Sequence, residues 1–394
     1  MRQINLKLIT AACLTVTCNA AVGHAGNKEE FSYKYISLDA TAPAGCQFFN
    51  PLAINNAGQV YGTTDCDGEP FVVRYQNGIS TALGKGPTFA FAANGRGVVG
   101  GADFDAQGEL QAALFIGGAT RIIPRQPGEV ASEVEQISES GIALISSAQA
   151  TAGDPVTVYY LYRGGLTKRL DFGTSDFFDP TGINDFGVVA GTVNDNRAFR
   201  FNPWLKKLTI LNPLPTEPSS SGLAIHDNGD VLGYSFVSNA LERIGLWRGS
   251  AFSTYFVEGT PDHPTVSDGL LWNNRNLIVV TDVIRPPADL GGFLIPRPGQ
   301  RLALAALVPG LHAWTQIFGV NDDADLVGWG GPAKNEVAES FLLERVHGHV
   351  ADAAATSRRA ASPTVARTSP VWRTRSERHA ASAQDVMDAL KPRE

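Results

Sequence analysis

Short turns rich in Asp and Asn are the most prominent candidates for chemistry in this sequence of 394 residues. They occur at residues 184–185, 227–230 and 321–325. Their side-chain oxygens could bind Ca²⁺, but that ion needs about six to eight oxygen ligands and each turn supplies only a few. Asn and Asp side chains also accept hydrogen bonds within their own tight turns. The turn interpretation is therefore favoured, and residues 65–68 are interpreted in the same way as a connection between strands.

The other patterns considered do not support enzyme chemistry, because the surrounding sequence lacks the elements that such chemistry needs. Residues 95–100 match a glycine-rich dinucleotide-binding string, but no helix is predicted after them to receive a pyrophosphate. His347 and His349 could hold a metal weakly, whereas no histidine pair has metalloprotease spacing and no Gly-x-Ser-x-Gly nucleophile turn occurs. We therefore assign no catalytic, cofactor-binding or metal-binding residues. The histidines beyond the first segment are His226, His263, His312, His347, His349 and His379.

The acidic turns belong to a motif that recurs along most of the chain. Its clearest copy is residues 183–191, in which Asn184, Gly187 and Gly191 surround a short β-branched run. Copies are assigned to starts at 54, 92, 137, 183, 225, 271 and 320, of which those at 92 and 271 are degenerate. A period in the mid-forties is too long for leucine-rich or ankyrin repeats and is typical of four-stranded propeller blades.

Each repeat also contains a second predicted hairpin. A strand ending in an aromatic residue is followed by a turn such as Asn77-Gly78 and then by another short strand. The last repeat lacks its fourth strand, whereas residues 31–38 form an unpartnered strand before the first motif. The N-terminal strand could complete the last blade and thereby remove exposed sheet edges. The sequence thus predicts an all-β fold, a β-propeller of seven four-stranded blades closed by the N-terminal strand.

The repeats resemble those of the bacterial extracellular HAF-repeat family. The resemblance rests on the motif at 183–191 and on the strand at 197–201, and it covers most of residues 31–345. Arg197 stands where the naming triplet of the family has His. The resemblance implies an exported repeat protein of propeller-like fold, and it implies no catalytic residues and no ligand.

The two ends of the chain differ from the repeats in composition. Arg2, Lys7 and a short apolar run predict a signal peptide over residues 1–25, which is short for a membrane span. The propeller domain is assigned to 26–345, and the Ala/Ser/Arg-rich segment 346–394 is predicted to be a disordered basic tail. The formal net charge is −7, and both ends are net positive, so the body between them is the acidic part. Without basic clusters, such a body argues against nucleic acid and anionic membranes as partners.

Removal of the signal would leave two cysteines, Cys46 and Cys66. An even pair in an exported protein predicts a disulfide. A turn at 55–58 lies midway between them, so an antiparallel hairpin would place the two residues nearly opposite. Two free buried thiols remain the alternative.

The aromatic residues fall into two groups. Those at strand ends recur at one place in each repeat and are predicted to pack between blades: Tyr75, Phe115, Tyr162, Phe201 and Trp247. Trp272, Trp314 and Trp329 lie nearer the variable connections. They are the candidates for a surface that contacts a ligand.

Three functional hypotheses follow. The favoured one is a secreted, non-catalytic binding module that uses loops on one propeller face, with a cell-envelope glycan or protein as a possible partner. The second is a hydrolase or lyase acting on polysaccharide, with acidic residues gathered at the central channel. The third is an envelope-associated structural role in which the basic tail meets an acidic partner.

Overall fold

A computed structural model describes residues 31–346, except 85, 153, 238–240, 259–266, 283–291, 309–310, 312–314 and 331–338. The predicted signal peptide (1–25) lies outside the described residues, as does the predicted tail apart from Val346. Trp314 and the five histidines after His226 also lie outside them. The functional and structural expectations for these residues stay predictions.

The described chain forms seven four-stranded antiparallel sheets arranged in a ring. The N-terminal strand is β1 (Tyr33–Ser37). Blade 1 contains β2 (Cys46–Ile54), β3 (Val60–Cys66), β4 (Glu69–Gln76) and β5 (Ile79–Ala82). Blade 2 contains β6 (Thr88–Ala93), β7 (Val98–Phe104), β8 (Leu110–Ile116) and β9 (Ala119–Ile122). Blade 3 contains β10 (Glu129–Ile137), β11 (Ala143–Gln149), β12 (Val156–Arg163) and β13 (Leu166–Arg169).

The remaining blades repeat this order. Blade 4 contains β14 (Phe178–Ile183), β15 (Val189–Val193), β16 (Arg197–Asn202) and β17 (Lys207–Leu211). Blade 5 contains β18 (Ser219–Ile225), β19 (Val231–Val237), β20 (Leu241–Arg248) and β21 (Ala251–Glu258). Blade 6 contains β22 (Ser267–Trp272), β23 (Ile278–Asp282), β24 (Phe293–Ile295) and β25 (Leu302–Ala303). Blade 7 contains β26 (Gln316–Val320), β27 (Leu326–Trp329) and β28 (Ser340–Arg345). The described residues also include a short 3-10 helix, Asp39–Thr41, and α1 (Leu304–Leu307).

The N-terminal strand closes the ring, as the sequence predicts. β1 pairs with β28 and so becomes the fourth strand of blade 7, with Tyr35 opposite Leu343. The hydroxyls of Tyr35 and Ser37 donate to the Glu339 carboxylate at 2.8 and 2.6 Å. Seven blades and closure by the N-terminal strand are both confirmed.

The core lies between adjacent blades because both faces of each sheet are covered by its neighbours. The predicted packing role of the strand-end aromatics is borne out by burial: Phe115 and Trp247 are 0% exposed and Tyr75 is 5% exposed. The first strands of neighbouring blades contact each other around the whole ring and therefore lie closest to its axis. The motif turns, which follow these first strands, consequently surround the axis on one face, called here the motif face.

Two repeat copies are displaced by one residue from their sequence assignment. The buried turn residues equivalent to Asn55 are Asn94 and Asn273, so these copies start at 93 and 272 rather than at 92 and 271. The glycine equivalent to Gly191 is consequently Gly101. A Cβ on Gly101 would lie 1.8 Å from the Phe89 carbonyl oxygen, and one on Gly191 would lie 2.1 Å from that of Asp179. Close backbone approach therefore requires glycine here, and the adjacent glycines Gly100 and Gly101 left the register ambiguous in the sequence.

The predicted disulfide is present in blade 1. Cys46 and Cys66 are directly opposite across the β2–β3 pair and are joined by a bond. The neighbouring turn Asp65 to Gly68 connects β3 to β4, with the Gly68 N–H donating to the Asp65 carboxylate at 2.8 Å. Both features agree with the sequence predictions. In the part of the chain that the structure describes, no helix is long and apolar enough to span a bilayer.

Candidate functional site

Each motif turn is stabilised by the side chain at its first position. The Asn184 carboxamide oxygen accepts the N–H groups of Phe186 and Val188 at 3.1 and 3.0 Å. Gly187 closes the turn at φ +73°, a conformation that glycine adopts without strain. Asn184 is 1% exposed, so these backbone donors would be unsatisfied without it. The acidic turns thus use their polar side chains as the turn interpretation predicts.

The same side chain also links neighbouring blades. The Asn184 amide donates to the carbonyl of His226 in blade 5 at 3.0 Å. Equivalent bonds join Asn94 to the Ser138 carbonyl, Asn273 to that of Asn321, and Asn321 to that of Asn55. The Asn at the first turn position of the motif therefore stabilises its own turn and also links its blade to the next one.

The next residue of the motif forms a second ring of contacts, called here the mouth ring. Its members are Asn56, Glu139, Asp185, Asp227, Asn274 and Asp322. Asp185 accepts the Ser140 N–H of blade 3 at 2.6 Å, and Asp227 accepts the Asp185 N–H at 2.9 Å. Glu139 and Asp322 accept the corresponding N–H groups of Gly95 and Asn274. All four carboxylates of the mouth ring therefore accept a hydrogen bond that joins one blade to the next.

Blades 5 and 6 are joined differently at this level. His226 replaces the Asn of the motif, and its ring stacks on Trp272 with centroids 3.3 Å apart. Trp272 is 1% exposed, and neither its Nε1 nor the His226 Nε2 has a hydrogen-bond partner among the described residues. Burial lowers the pKa of His226 to about 4, although Asp230 acts in the opposite direction. Trp272 is thus a packing residue, and its assignment as a ligand-contacting candidate is wrong.

Glu139 differs from the other acidic members of the mouth ring. It is 3% exposed, and its Oε2 has no hydrogen-bond partner among the described residues. Burial, with a smaller contribution from the carboxylates of Asp185 and Asp322, raises the pKa of its carboxyl to about 7, although the Gly95 N–H and Arg96 act in the opposite direction. Asp322 belongs to blade 7, so its effect on Glu139 in blade 3 acts across the ring. A carboxyl that titrates near neutrality in such a place could act as a general acid or base.

The acidic turns do not form a compact metal site in the described chain. No group of three or more His, Cys, Asp or Glu side chains within it is arranged to hold a metal ion. The glycine-rich string at 95–100 forms a motif turn and then enters strand β7, as its context predicts.

A second feature of the motif face is an exposed apolar surface on blades 3 and 4, called here the platform. Its members and exposed fractions are Leu166 (79%), Phe186 (63%), Trp204 (55%) and Leu205 (72%). Phe186 lies in the motif turn of blade 4, whereas Trp204 and Leu205 lie in the turn between β16 and β17. Leu166 begins β13 of blade 3. Large apolar side chains exposed near one another on one face are typical of interaction sites.

Trp204 is held in place by three neighbours. Its indole N–H donates to the Phe186 carbonyl at 2.7 Å. The Lys168 ammonium lies 4.1 Å from the ring centroid and also donates to the Pro203 carbonyl at 2.9 Å. A Cβ on Gly187 would lie 3.2 Å from the indole nitrogen, so the absence of a side chain there leaves room for the ring. Trp204 is therefore a fixed aromatic surface that joins two blades.

Cationic side chains accompany the platform. Arg163 pairs with Leu166 at the tip of the blade 3 hairpin, and Lys206 and Lys207 follow Leu205 directly. All three cations are exposed, and Lys168 lies over Trp204 itself. The fold thus brings Lys168 of blade 3 to the hairpin of blade 4 that carries Lys206 and Lys207, a proximity that the sequence pattern does not predict.

Neither the platform residues nor Glu139 are among the functional candidates that the sequence predicts. Of the three Trp candidates, Trp329 is 38% exposed, Trp272 is buried, and Trp314 lies outside the described residues. The adjacent large apolar residues Trp204 and Leu205 in a predicted turn were an available signal, since turns are usually polar. For Glu139, the signal was a longer acidic side chain at a motif position that otherwise holds Asn, Asp or Gly.

The sequence matches no protein-family model and no curated protein. Its fold is similar to that of oligogalacturonate lyase from Vibrio parahaemolyticus, with a TM-score of 0.54 and 9% identity over 79% of this chain and 97% of that chain. A structure of oligogalacturonate lyase in complex with manganese gives a TM-score of 0.54 and 9% identity over 80% and 96% of the two chains. TolB from Acinetobacter baumannii gives a TM-score of 0.38 and 10% identity over 59% of this chain. The match spans 61% of the TolB chain, which is less than two thirds of its length.

Identities this low show similarity of fold alone. The seven closed blades and this similarity of fold define the class of the chain: it is a seven-bladed β-propeller protein.

Proposed function

We propose that this chain is an exported, non-catalytic binding module that contacts a cell-envelope glycan or protein through its motif face. The observation that carries the proposal is the platform, four exposed apolar side chains on that face, of which Trp204 is held by a hydrogen bond and by Lys168. Exposing such side chains to water is unfavourable, and a partner that covers them would remove this cost. The hydrogen bonding of the mouth ring supports the same function, because its four carboxylates all take part in blade-to-blade contacts.

Export is the part of the proposal that rests on the sequence. The charged and apolar pattern of residues 1–25 supports it, and the Cys46–Cys66 disulfide supports an oxidising compartment. The motif copies in seven blades support membership in the HAF-repeat family, whose members are extracellular. Detection of mature protein with an N-terminus near residue 26 in the periplasm or medium would test this step.

The binding proposal is tested by a screen of the full chain against a glycan array and isolated cell-envelope fractions. The informative variant is Leu205→Asp, which places a charge on the platform. Its matched control is Val156→Asp, because Val156 is 48% exposed and begins β12 at the end of the blade opposite the motif turns. We expect Leu205→Asp to lose binding that Val156→Asp retains. Equal binding by both variants would exclude the platform as the contact surface.

An enzyme is the second candidate function, and Glu139 is the observation that favours it. A carboxyl with a pKa near 7 is suited to protonate a leaving group or to accept a proton. Assays with acidic and neutral polysaccharides, comparing the natural chain with Glu139→Gln, separate the two functions. Turnover that disappears in Glu139→Gln, while platform variants remain active, would favour the enzyme over the binding module.

A further inference from the structure

The platform has a chemical character that restricts its partner. Trp204 connects its members: the indole donates to the Phe186 carbonyl, Leu205 follows Trp204 directly, and Lys168 from the hairpin that carries Leu166 lies over the ring. Apolar residues of this size at a fixed surface are typical anchors of protein interfaces. The partner must therefore supply apolar groups.

The charges around the platform specify the rest of the partner. Arg163, Lys206 and Lys207 are exposed at the tips of its two hairpins, and Arg200 lies on the same blade, where it donates to the Gly229 carbonyl. This group of cations occurs in a chain whose formal net charge is −7. Because opposite potentials meet at complementary interfaces, the surface fits a ligand that combines apolar and anionic groups.

We propose that the platform binds an acidic amphipathic peptide segment of a partner protein, with its apolar side chains on Trp204 and Leu205 and its carboxylates beside Lys206 and Lys207. The inference rests on the proposed function, because it names the partner of the same face. It identifies the cations of blades 3 and 4 as the determinants of specificity.

An anionic membrane has the same combination of groups, but the geometry favours a peptide. The indole of Trp204 is held along the surface by its hydrogen bond to Phe186 and by Lys168, so it is not free to insert between lipids. A flat bilayer laid on this face would also meet the carboxylates of the mouth ring, such as Asp185 and Asp227. A narrow peptide over the two hairpins avoids that repulsion.

The test measures binding of the full chain to three probes. The first is a synthetic peptide of alternating Glu and Leu or Phe, the second is its counterpart with Lys in place of Glu, and the third is vesicles of phosphatidylglycerol and phosphatidylcholine. Fluorescence anisotropy gives the affinity for each peptide, and co-sedimentation reports vesicle binding. We expect the acidic peptide to bind, with an affinity that falls as salt is raised.

Two variants locate the site. Leu205→Asp is expected to weaken acidic-peptide binding at least about tenfold, as loss of an interface anchor does. The double variant Lys206→Gln and Lys207→Gln is expected to weaken it by about three- to tenfold and to reduce its salt dependence. Val156→Asp should bind as the natural chain does. Circular dichroism verifies that each variant is folded.

The outcomes distinguish the inference from the function on which it rests. Equal affinity for the acidic and basic peptides, or binding of vesicles without binding of the acidic peptide, would overturn the inference. If the acidic peptide fails to bind while Leu205→Asp still abolishes capture of envelope material, the proposed function stands and only the partner is wrong. If neither capture nor peptide binding depends on Leu205, both are wrong.

Discussion

At the scale of single residues, the buried Glu139 and the half-buried His226 of the motif face have opposite effects on how stability depends on pH. Glu139 is held in its protonated form by burial, and His226 is held in its neutral form. Glu139 lies at a position where other blades have Asn, Asp or Gly, and His226 lies at one where they have Asn or Ser. The ring therefore accommodates a titratable group at a contact between two blades. The free energy of unfolding should change with pH as this group gains or loses its proton.

The first prediction concerns Glu139→Gln. The pKa of Glu139 is raised from about 4.5 to about 7 in the folded chain, so the folded state binds the extra proton between these values. Stability from this group is present at low pH and decreases as pH rises towards 7. Gln keeps the acceptor for the Gly95 N–H and removes the charge. We expect Glu139→Gln to be more stable than the natural chain by roughly 2 kcal/mol at pH 8 and by little at pH 4.5.

Urea unfolding between pH 4.5 and pH 8 measures this difference. The control is Glu109→Gln, which removes a carboxylate from an exposed turn of blade 2. A gap between natural chain and Glu139→Gln that does not grow with pH would contradict the assigned burial of this carboxyl.

The second prediction concerns His226→Asn. In the folded chain the pKa of His226 is lowered from 6.5 to about 4, so protons bind the unfolded state first as pH falls. The stability that depends on neutral His226 is complete above pH 6.5 and is lost progressively towards pH 4. We expect the natural chain to lose roughly 1–2 kcal/mol more than His226→Asn over this range. Parallel pH profiles of the two proteins would show that His226 is not responsible.

At the scale of elements, the motif turn of blade 4 has two roles. Its Asn184 satisfies the turn and reaches blade 5, as described above, while Gly187 leaves space beneath Trp204. The same turn therefore stabilises the ring and positions the platform. In blades 1 and 3 the equivalent glycines are Gly58 and Gly141, and a Cβ on either would meet nothing within 4 Å. Those turns therefore have only the first role.

The third prediction separates these roles by comparing Gly187→Ala with Gly58→Ala. Both glycines have positive φ, +73° and +70°, so both substitutions carry the backbone cost of about 1–2 kcal/mol. A Cβ meets Trp204 and Leu161 at Gly187, whereas it meets nothing within 4 Å at Gly58. We expect Gly187→Ala to be less stable than Gly58→Ala by about 1 kcal/mol.

Thermal unfolding gives the stability of both variants, and acrylamide quenching of tryptophan fluorescence reports the freedom of Trp204. Gly187→Ala should increase quenching and Gly58→Ala should not. Identical behaviour of the two variants would show that Gly187 does not position Trp204.

At the scale of the whole molecule, stability depends on closure of the ring. β1 supplies the last strand of blade 7, and the flanking residues Phe31 and Leu38 are 6% and 0% exposed. Without β1, β28 would become an open edge and these contacts would be lost. The N-terminal strand thus ties together residues about 300 positions apart in the sequence.

The fourth prediction follows from this closure. A chain that starts after Ser37 should be less stable than one that starts at residue 31 by more than about 5 kcal/mol, because several large apolar side chains lose their burial. It should also aggregate through the exposed edge of blade 7. Thermal unfolding with light scattering measures both effects, and equal melting temperatures would mean that the three-stranded blade suffices.

Much of the fold was predictable because its determinants are local. The turn residues at 184–187 and the alternating strands around them specify a hairpin without reference to any other blade, and repetition extends it to seven. Cys46 and Cys66 were predictable for the same reason, since one hairpin places them opposite each other. The displaced copies in blades 2 and 6 were not, because adjacent glycines or missing glycines leave the register undefined until strands pair.

The sequence by itself determined the blades, their number, their closure and the disulfide, because each depends on short-range pattern and chain order. Only the tertiary structure decided which residues of different blades meet. Lys168, Phe186 and Trp204 form one surface because blades 3 and 4 pack side by side. The carboxylate of Asp322 in blade 7 contributes to the raised pKa of Glu139 in blade 3 because the ring closes. Such contacts join positions far apart in the chain, and their formation depends on the angle and spacing of whole sheets, which no local pattern of residues encodes.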